Sequence, residues 1–361
     1  MADAKNKIDS WLKRYPESNV LMIWHETAPG YGIPEELLGW EVPAPKDANA
    51  AAYEKKLADF INASGEFIRK NYPNQKIQIG NSSASIGAVT RPLRAGAKAE
   101  YYDYIGIETP SQVIVPEKLQ EVGFQGMLIA KDIGKKLSGK DLKLNGSWEF
   151  VYRCERDMGE RQQAEWYMRD ILISLAHDFP LIAPGIFIDC SNGYYNGLWG
   201  GSGILQRGPY GYPKQAYVAY GVLTSVLDDV KFSRQIPTGS STVYALEFKR
   251  ADGKYVTALW ASRGEVKFDL SGKGLEDAID MFGRETKLDS SKATVDGGTS
   301  PVYVVSSSPL QSVAIAGRSF AKDAARAAKA KVASAMNNIE LLEVIPDKSM
   351  ESTHNSFLPI L

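Results

Sequence analysis

The sequence predicts an α/β protein, a parallel sheet of βα units of the barrel type, followed by a small antiparallel β-sandwich. Three observations carry that reading. Apolar strand-like runs alternate with helix-period segments over the first two thirds of the 361 residues. The strands end in polar or aromatic side chains, and the C-terminal face is where a barrel builds its sites. Beyond about residue 240 the hydrophobic period shortens from helical to two.

The elements follow in order. Ile8 to Tyr15 reads as the end of a helix, and Val20-Leu-Met-Ile-Trp24 as an apolar strand. Leu57, Phe60, Ile61, Phe67 and Ile68 recur at turn spacing, so Ala50 to Lys70 is expected to be helical. A short strand from Lys76 to Gly80 runs into Asn81-Ser82-Ser83. A helix near Thr90 to Ala99 precedes the strand Tyr104-Ile-Gly-Ile107. Pro116 opens the next helical stretch, since proline suits a first turn. Leu142 to Phe150 is the fourth strand, Glu160 to Asp178 a helix, and Leu181 to Ile188 the fifth strand. No Gly-rich phosphate turn follows any strand, which argues against an open dinucleotide-binding sheet.

A Gly-, Tyr- and Trp-rich loop, Cys190 to Gly211, leads to a helix from Gln215 to Leu227. Strands then alternate at period two around Val243, Tyr255, Val266 and Val302, and Asp252-Gly253 marks a hairpin between the first two. The expected domains are therefore a barrel part over 1–235, a β-sandwich over 236–307, and a tail over 308–361. Ala321 to Ala335 in that tail is Ala- and Lys-rich and reads as helical.

Composition narrows the function. Lys and Arg total 42 against 43 Asp and Glu, a net charge of −1, so neither nucleic acid nor an anionic membrane is an expected partner. No apolar run approaches the roughly 18 residues of a membrane span. The first residues, Met1 to Lys7, lack a signal-peptide core. Two cysteines, Cys154 and Cys190, make no disulfide framework, and three scattered histidines make no zinc cluster. His177 reads as a helix-end residue. Seven Trp and 18 Tyr suit surfaces that stack on sugar rings, although cores use them too.

Val20-Leu-Met-Ile-Trp-His-Glu26 and Asn145-Gly-Ser-Trp-Glu-Phe150 resemble the strand-four and strand-seven endings of clan A (β/α)8 glycoside hydrolases. With Glu26 on strand four, the following strands count as five to eight and Glu149 falls on strand seven. Gln163-Ala-Glu-Trp166, the aromatic loop and Pro213-Lys-Gln-Ala-Tyr217 resemble that clan's later segments. Asp280-Met-Phe-Gly283 and Ser300-Pro-Val-Tyr-Val resemble the close of its small sandwich. The nearest group is the β-xylosidase/iduronidase-like one, over roughly residues 8 to 307. The resemblance implies a partial TIM-type barrel, strands 4–8, with three βα units expected ahead of this chain because closure takes eight strands. It also implies export in bacteria.

On that resemblance Glu26 is the acid/base and Glu149 the nucleophile of a retaining glycoside hydrolase acting on a carbohydrate substrate. His25 stands where the clan usually has Asn. It is expected to hydrogen-bond the nucleophile or a sugar hydroxyl, or else to be structural. Asn81 and Glu108, at strands five and six, and Tyr194, Tyr195 and Trp199, on the strand-eight loop, are the remaining substrate-binding candidates. Turn formation, loop capping and loop packing are their ordinary alternatives. Trp148 belongs to the other strand face, as core. The chemistry needs no cofactor and no metal. The competing reading is a non-catalytic carbohydrate-binding or scaffold protein derived from such a barrel.

Overall fold

The computed structural model describes residues 2–23, 48–82, 85–107, 116–118, 124–150, 159–184, 187–189, 201–288 and 291–322. They divide into two compact units. The result is a mixed α/β protein: a parallel sheet, partly barrel-like, and then antiparallel sheets that resemble a β-sandwich.

The first unit holds helices α1 (Ala2–Arg14), α2 (Ala48–Asn71), α3 (Ser85–Arg94) and α4 (Phe124–Ser138). Its strands are β1 (Val20–Met22), β2 (Lys76–Ser82), β3 (Tyr104–Ile107), β4 (Lys143–Phe150) and β5 (Ile182–Pro184). They pair in chain order, every neighbour parallel. Strict alternation gives the sheet two kinds of face. Ile77, Ile79, Ile105 and Leu144 are fully buried at one parity, while Gln78 and Asn145 are buried at the other. Helix α2 hides Leu57, Ala58, Ile61 and Ile68, a single stripe at helical spacing. Gly65 continues that stripe, because a Cβ there would lie 2.4 Å from Cβ of Tyr101.

Asp103 joins three of these elements just before β3. Its Oδ2 accepts from the Ile77 amide at 2.8 Å and from Arg69 Nη2 at 2.9 Å. Burial pushes the Asp103 carboxyl up, but the Ile77 N–H and the Arg69 guanidinium outweigh it and hold the group below the usual carboxylate range.

The second unit holds a 3-10 turn (Pro116–Lys118), α5 (Glu160–Ala176), α6 (Gln215–Val226) and strands β6 to β14. A six-stranded sheet runs β11-β10-β13-β8-β7-β6 and a three-stranded one β12-β9-β14. In residues these are β6 (Val230–Gln235), β7 (Val243–Arg250), β8 (Tyr255–Ala261), β9 (Glu265–Gly272), β10 (Leu275–Asp280), β11 (Glu285–Lys287), β12 (Lys292–Gly297), β13 (Val302–Ser306) and β14 (Leu310–Ser319). Both sheets feed one apolar core, with Ala245, Leu259 and Val304 from the larger and Phe268, Leu270 and Val313 from the smaller. Asp252-Gly253 does turn the β7–β8 hairpin, with Gly253 at φ +86°.

Helix α5 is buried on nearly every side, Gln163 to Ile173 without a break. Its charges survive burial because each has a partner. Arg169 and Glu117 have fully buried side chains, with Nε 2.7 Å from Oε1, and Trp260 Nε1 donates to the same carboxylate at 2.5 Å. Ser300 Oγ donates to Glu165 Oε1 at 2.6 Å and accepts from Arg161 Nη2 at 2.6 Å.

Several boundaries differ from the sequence expectation. Helix α3, the first after β2, spans Ser85–Arg94 instead of Thr90 to Ala99, and Pro116 opens a single 3-10 turn. The fifth strand is Ile182–Pro184, with Ile188 left as an isolated bridge to Leu205. Antiparallel strands run from Val230 to Ser319, beyond the 236–307 window on both sides. Both outer strands lie at sheet edges and expose most residues, so their alternation is weak. The segment expected to be helical from Ala321 extends outside the described residues after position 322, as do Cys154, Cys190 and His354. Among the described residues no helix is long and apolar enough to cross a membrane.

Candidate functional site

Because the five strands of the first unit are parallel, their C-terminal ends share one edge of the sheet. Glu149 is the penultimate residue of β4, and Asn81 the penultimate residue of β2. Glu108 directly follows β3, and His25 and Glu26 come three and four positions after β1. His25, Glu26 and Glu108 lie outside the described residues, as do Tyr194, Tyr195 and Trp199. For Asn81, Trp148 and Glu149 the backbone alone is described. The sheet thus gathers the β2 and β4 candidates at one edge, with one strand between them.

Below that edge the second face of the sheet is polar. Asn145 Nδ2 donates to Gln78 Oε1 at 2.8 Å, and Gln78 Nε2 approaches Met22 Sδ at 3.7 Å. The first contact spans from β4 to β2 across β3, where the register partner of Asn145 is Gly106. A glycine there offers no side chain to interrupt the bridge. Asn145 Oδ1 is buried and has no partner among the described residues. Position 149 lies two pleats further along the same strand at the same parity. The β4–β5 register shifts between Gly146 and Phe150, so the strand is irregular on that side.

The second unit holds a separate polar cluster around the chain that returns from the aromatic loop. Asp189 Oδ1 accepts from Lys214 Nζ at 2.6 Å and from the Gly203 amide at 2.8 Å. Lys214 Nζ also donates to the Gly201 carbonyl at 3.0 Å, as does Gln163 Nε2 at 2.8 Å. Tyr167 OH donates to the Ser202 carbonyl at 2.7 Å. Gly203 is obligatory here: a Cβ would stand 2.4 Å from the Asp189 nitrogen and 2.6 Å from the Ile188 carbonyl carbon.

Sequence reasoning quoted these residues only as letters of motifs. Asp189 directly follows the run expected to be the fifth strand, and Gln163 and Lys214 stand in motifs that open helices. Their common function as a buried cluster joins positions up to 51 residues apart and leaves no local pattern. His177, read as a helix-end residue, follows α5, is 2% exposed, and accepts through its carbonyl from the Lys131 ammonium. A surface hollow along α1, lined by Asn6, Lys7, Ser10, Trp11, Arg14 and Tyr15, contains none of the candidates. Among the described residues no group of three or more His, Cys, Asp or Glu could hold a metal ion.

No protein-family model matches the chain, and no curated protein sequence does. Solved structures do resemble it in fold. A family 39 glycoside hydrolase from the gut symbiont Bacteroides cellulosilyticus WH2 superposes with a TM-score of 0.61 at 17% identity, over 84% of this chain and 61% of that one. SrfJ from Salmonella typhimurium gives 0.52 at 11% identity, over 85% and 62%. An endo-β1,6-glucanase gives 0.51 at 11% identity, over 85% and 63%. At these identities the likeness is one of fold. The chain spans about three fifths of the length of each of these structures.

Proposed function

We propose that this chain is the part of a retaining glycoside hydrolase that carries both catalytic carboxylates, with β1 to β5 serving as strands four to eight of a (β/α)8 barrel. The observation that carries the reading is the strand order. Glu149 closes the strand three places beyond β1, the separation expected between the two carboxylates of that clan.

The geometry sets a condition. Three strand steps of about 4.8 Å amount to roughly 14 Å along a flat sheet. Retention needs carboxyl groups only about 5 to 5.5 Å apart. A sheet that curls toward closure shortens the chord between its first and fourth strands, and the long Glu side chains cover the remainder.

In the proposed reaction the ionised Glu149 attacks the anomeric carbon as Glu26 gives its proton to the leaving glycosidic oxygen. The C–O bond to the leaving group breaks, and an ester between Glu149 and the sugar forms. Glu26, now ionised, takes a proton from water, which attacks the same carbon and frees Glu149. The two carboxyl groups keep their roles, one ionised and one protonated, because close carboxylates resist joint ionisation. His25, Asn81 and Glu108 are assigned to sugar hydroxyls, and Tyr194, Tyr195 and Trp199 to stacking on sugar rings. The glycoside-hydrolase descriptions of two fold relatives support this substrate class.

The test is hydrolysis of a panel of 4-nitrophenyl glycosides by the unmodified chain, Glu26→Gln and Glu149→Gln. Turnover that falls by at least about a thousandfold in Glu149→Gln supports the reading. Equal turnover in all three removes both glutamates from the reaction, and turnover in none favours a carbohydrate-binding protein without catalysis.

A further inference from the structure

Just before α6 the chain folds back on itself, and the turn carries two outward tyrosine rings on a stiff support. Over residues 204–214 the Gln206 amide donates to the Tyr212 carbonyl at 2.7 Å, and the Lys214 amide to the Ile204 carbonyl at 3.0 Å. Leu205 and Pro213 form an antiparallel bridge between these bonds, which makes the segment a short hairpin. Its base is tied to the start of α5. Glu160 accepts from Gln206 Nε2 at 3.0 Å, on the outgoing leg, and from the Gln215 amide at 3.3 Å, just past the returning one.

The tip between the legs is built to keep one shape. Gly208 and Gly211 take φ of +142° and +55°, and a Cβ at either would meet no atom within 4 Å. These glycines serve the backbone conformation, not close packing. Pro209 and Pro213 fix φ at two further positions. Tyr210 and Tyr212 alternate with these residues, so their backbone has little freedom left to lose on binding. The two side chains are 76% and 60% exposed, with ring centroids 5.9 Å apart and planes inclined at 51°. One ring can take the flat C–H face of a sugar while its neighbour meets the edge, and both phenol hydroxyls can bond to sugar hydroxyls. Two tyrosines bury at most roughly 500 Å² together. That falls short of the roughly 800 Å² per partner of a stable protein interface. It suits one or two sugar rings.

We propose that Tyr210 and Tyr212 form a second glycan-binding site, carried by the unit that holds the antiparallel sheets, on which a pyranose ring of a neutral polysaccharide stacks. The choice of sugar as ligand rests on the glycosidase reading, but the site uses none of the residues assigned to that reaction.

The experiment is affinity electrophoresis of the full chain in native gels that contain xylan, arabinan or β1,6-glucan. Glu149→Gln is present throughout, so that no polysaccharide is consumed. The chain is expected to be retarded in at least one gel. Tyr210→Ala with Tyr212→Ala is expected to raise the apparent Kd at least about fivefold, and Tyr210→Phe with Tyr212→Phe to keep most of the affinity. Trp11→Ala, at an exposed aromatic of the other unit, is expected to change nothing. Urea midpoints check that each variant is folded, and Tyr210→Ala alone is read in the same way if the double variant is not. Equal retardation with and without the two rings overturns the site, as does a chain that no gel retards. Removal of the rings that lowers self-association in sedimentation, with retardation unchanged, assigns them to a second copy and overturns it too. Retardation that depends on the rings, in a chain that with Glu149 restored hydrolyses no 4-nitrophenyl glycoside, supports the site and defeats the glycosidase reading. Hydrolysis without retardation does the reverse.

Discussion

Asn145 on β4 donates a 2.8 Å hydrogen bond to Gln78 on β2, crossing β3 above Gly106. Both amides are buried, so this bond fixes which polar groups face each other on the side of the sheet opposite Ile79 and Leu144. Asn145→Leu leaves the Gln78 carbonyl oxygen without this donor in a buried place. The expected loss is about 1–3 kcal/mol of unfolding free energy, read by urea titration. A variant as stable as the unmodified chain would show that the bond contributes nothing.

Asp103 makes stability depend on acid. Its folded-state carboxyl lies below the usual range, so its contribution is complete above the unfolded value near 3.9 and is lost as pH falls through the lower folded one. Asp103→Asn is expected to cost about 1–2 kcal/mol at pH 7, with the two proteins converging as pH falls through the lowered folded-state value. Urea midpoints across pH 2 to 7 check this. A difference that persists or grows at low pH would contradict the assignment.

Arg169 and Glu117 form the most buried ion pair described, with neither side chain exposed. Glu117→Gln removes the only negative charge among the groups this structure places on that guanidinium. The expected destabilisation is about 3–5 kcal/mol, and replacing both residues by leucine and methionine should recover much of it. Differential scanning calorimetry compares the three. A single variant that melts with the unmodified chain would mean that water reaches the pair.

The parallel sheet was legible because its strands are short apolar runs ended by polar residues, and Glu149 does lie at the end of β4 as the motif suggested. The hairpin at Asp252-Gly253 was legible because a positive φ has so narrow a residue preference. What stayed hidden is non-local. Helix α5 reads in sequence like any crossover helix, yet it belongs to the unit that holds the antiparallel sheets. Its Arg169 makes sense only once Glu117, 52 positions upstream, is beside it. The edge strands β6 and β14 were blurred because an exposed edge needs no apolar alternation. The Asp189–Lys214 ion pair was hidden for the same reason as Arg169: two charges 25 positions apart look solvated until the fold buries them together.

The central claim is that Glu149 becomes bonded to sugar during turnover. A 2-deoxy-2-fluoro glycoside with a good leaving group slows release of such an ester and lets it accumulate. After incubation and proteolysis, mass spectrometry should find the fluorosugar mass on the peptide containing Lys143–Phe150, with fragmentation placing it on Glu149. An enzyme that turns over substrate but carries the label on another carboxylate, or carries none, would contradict the account.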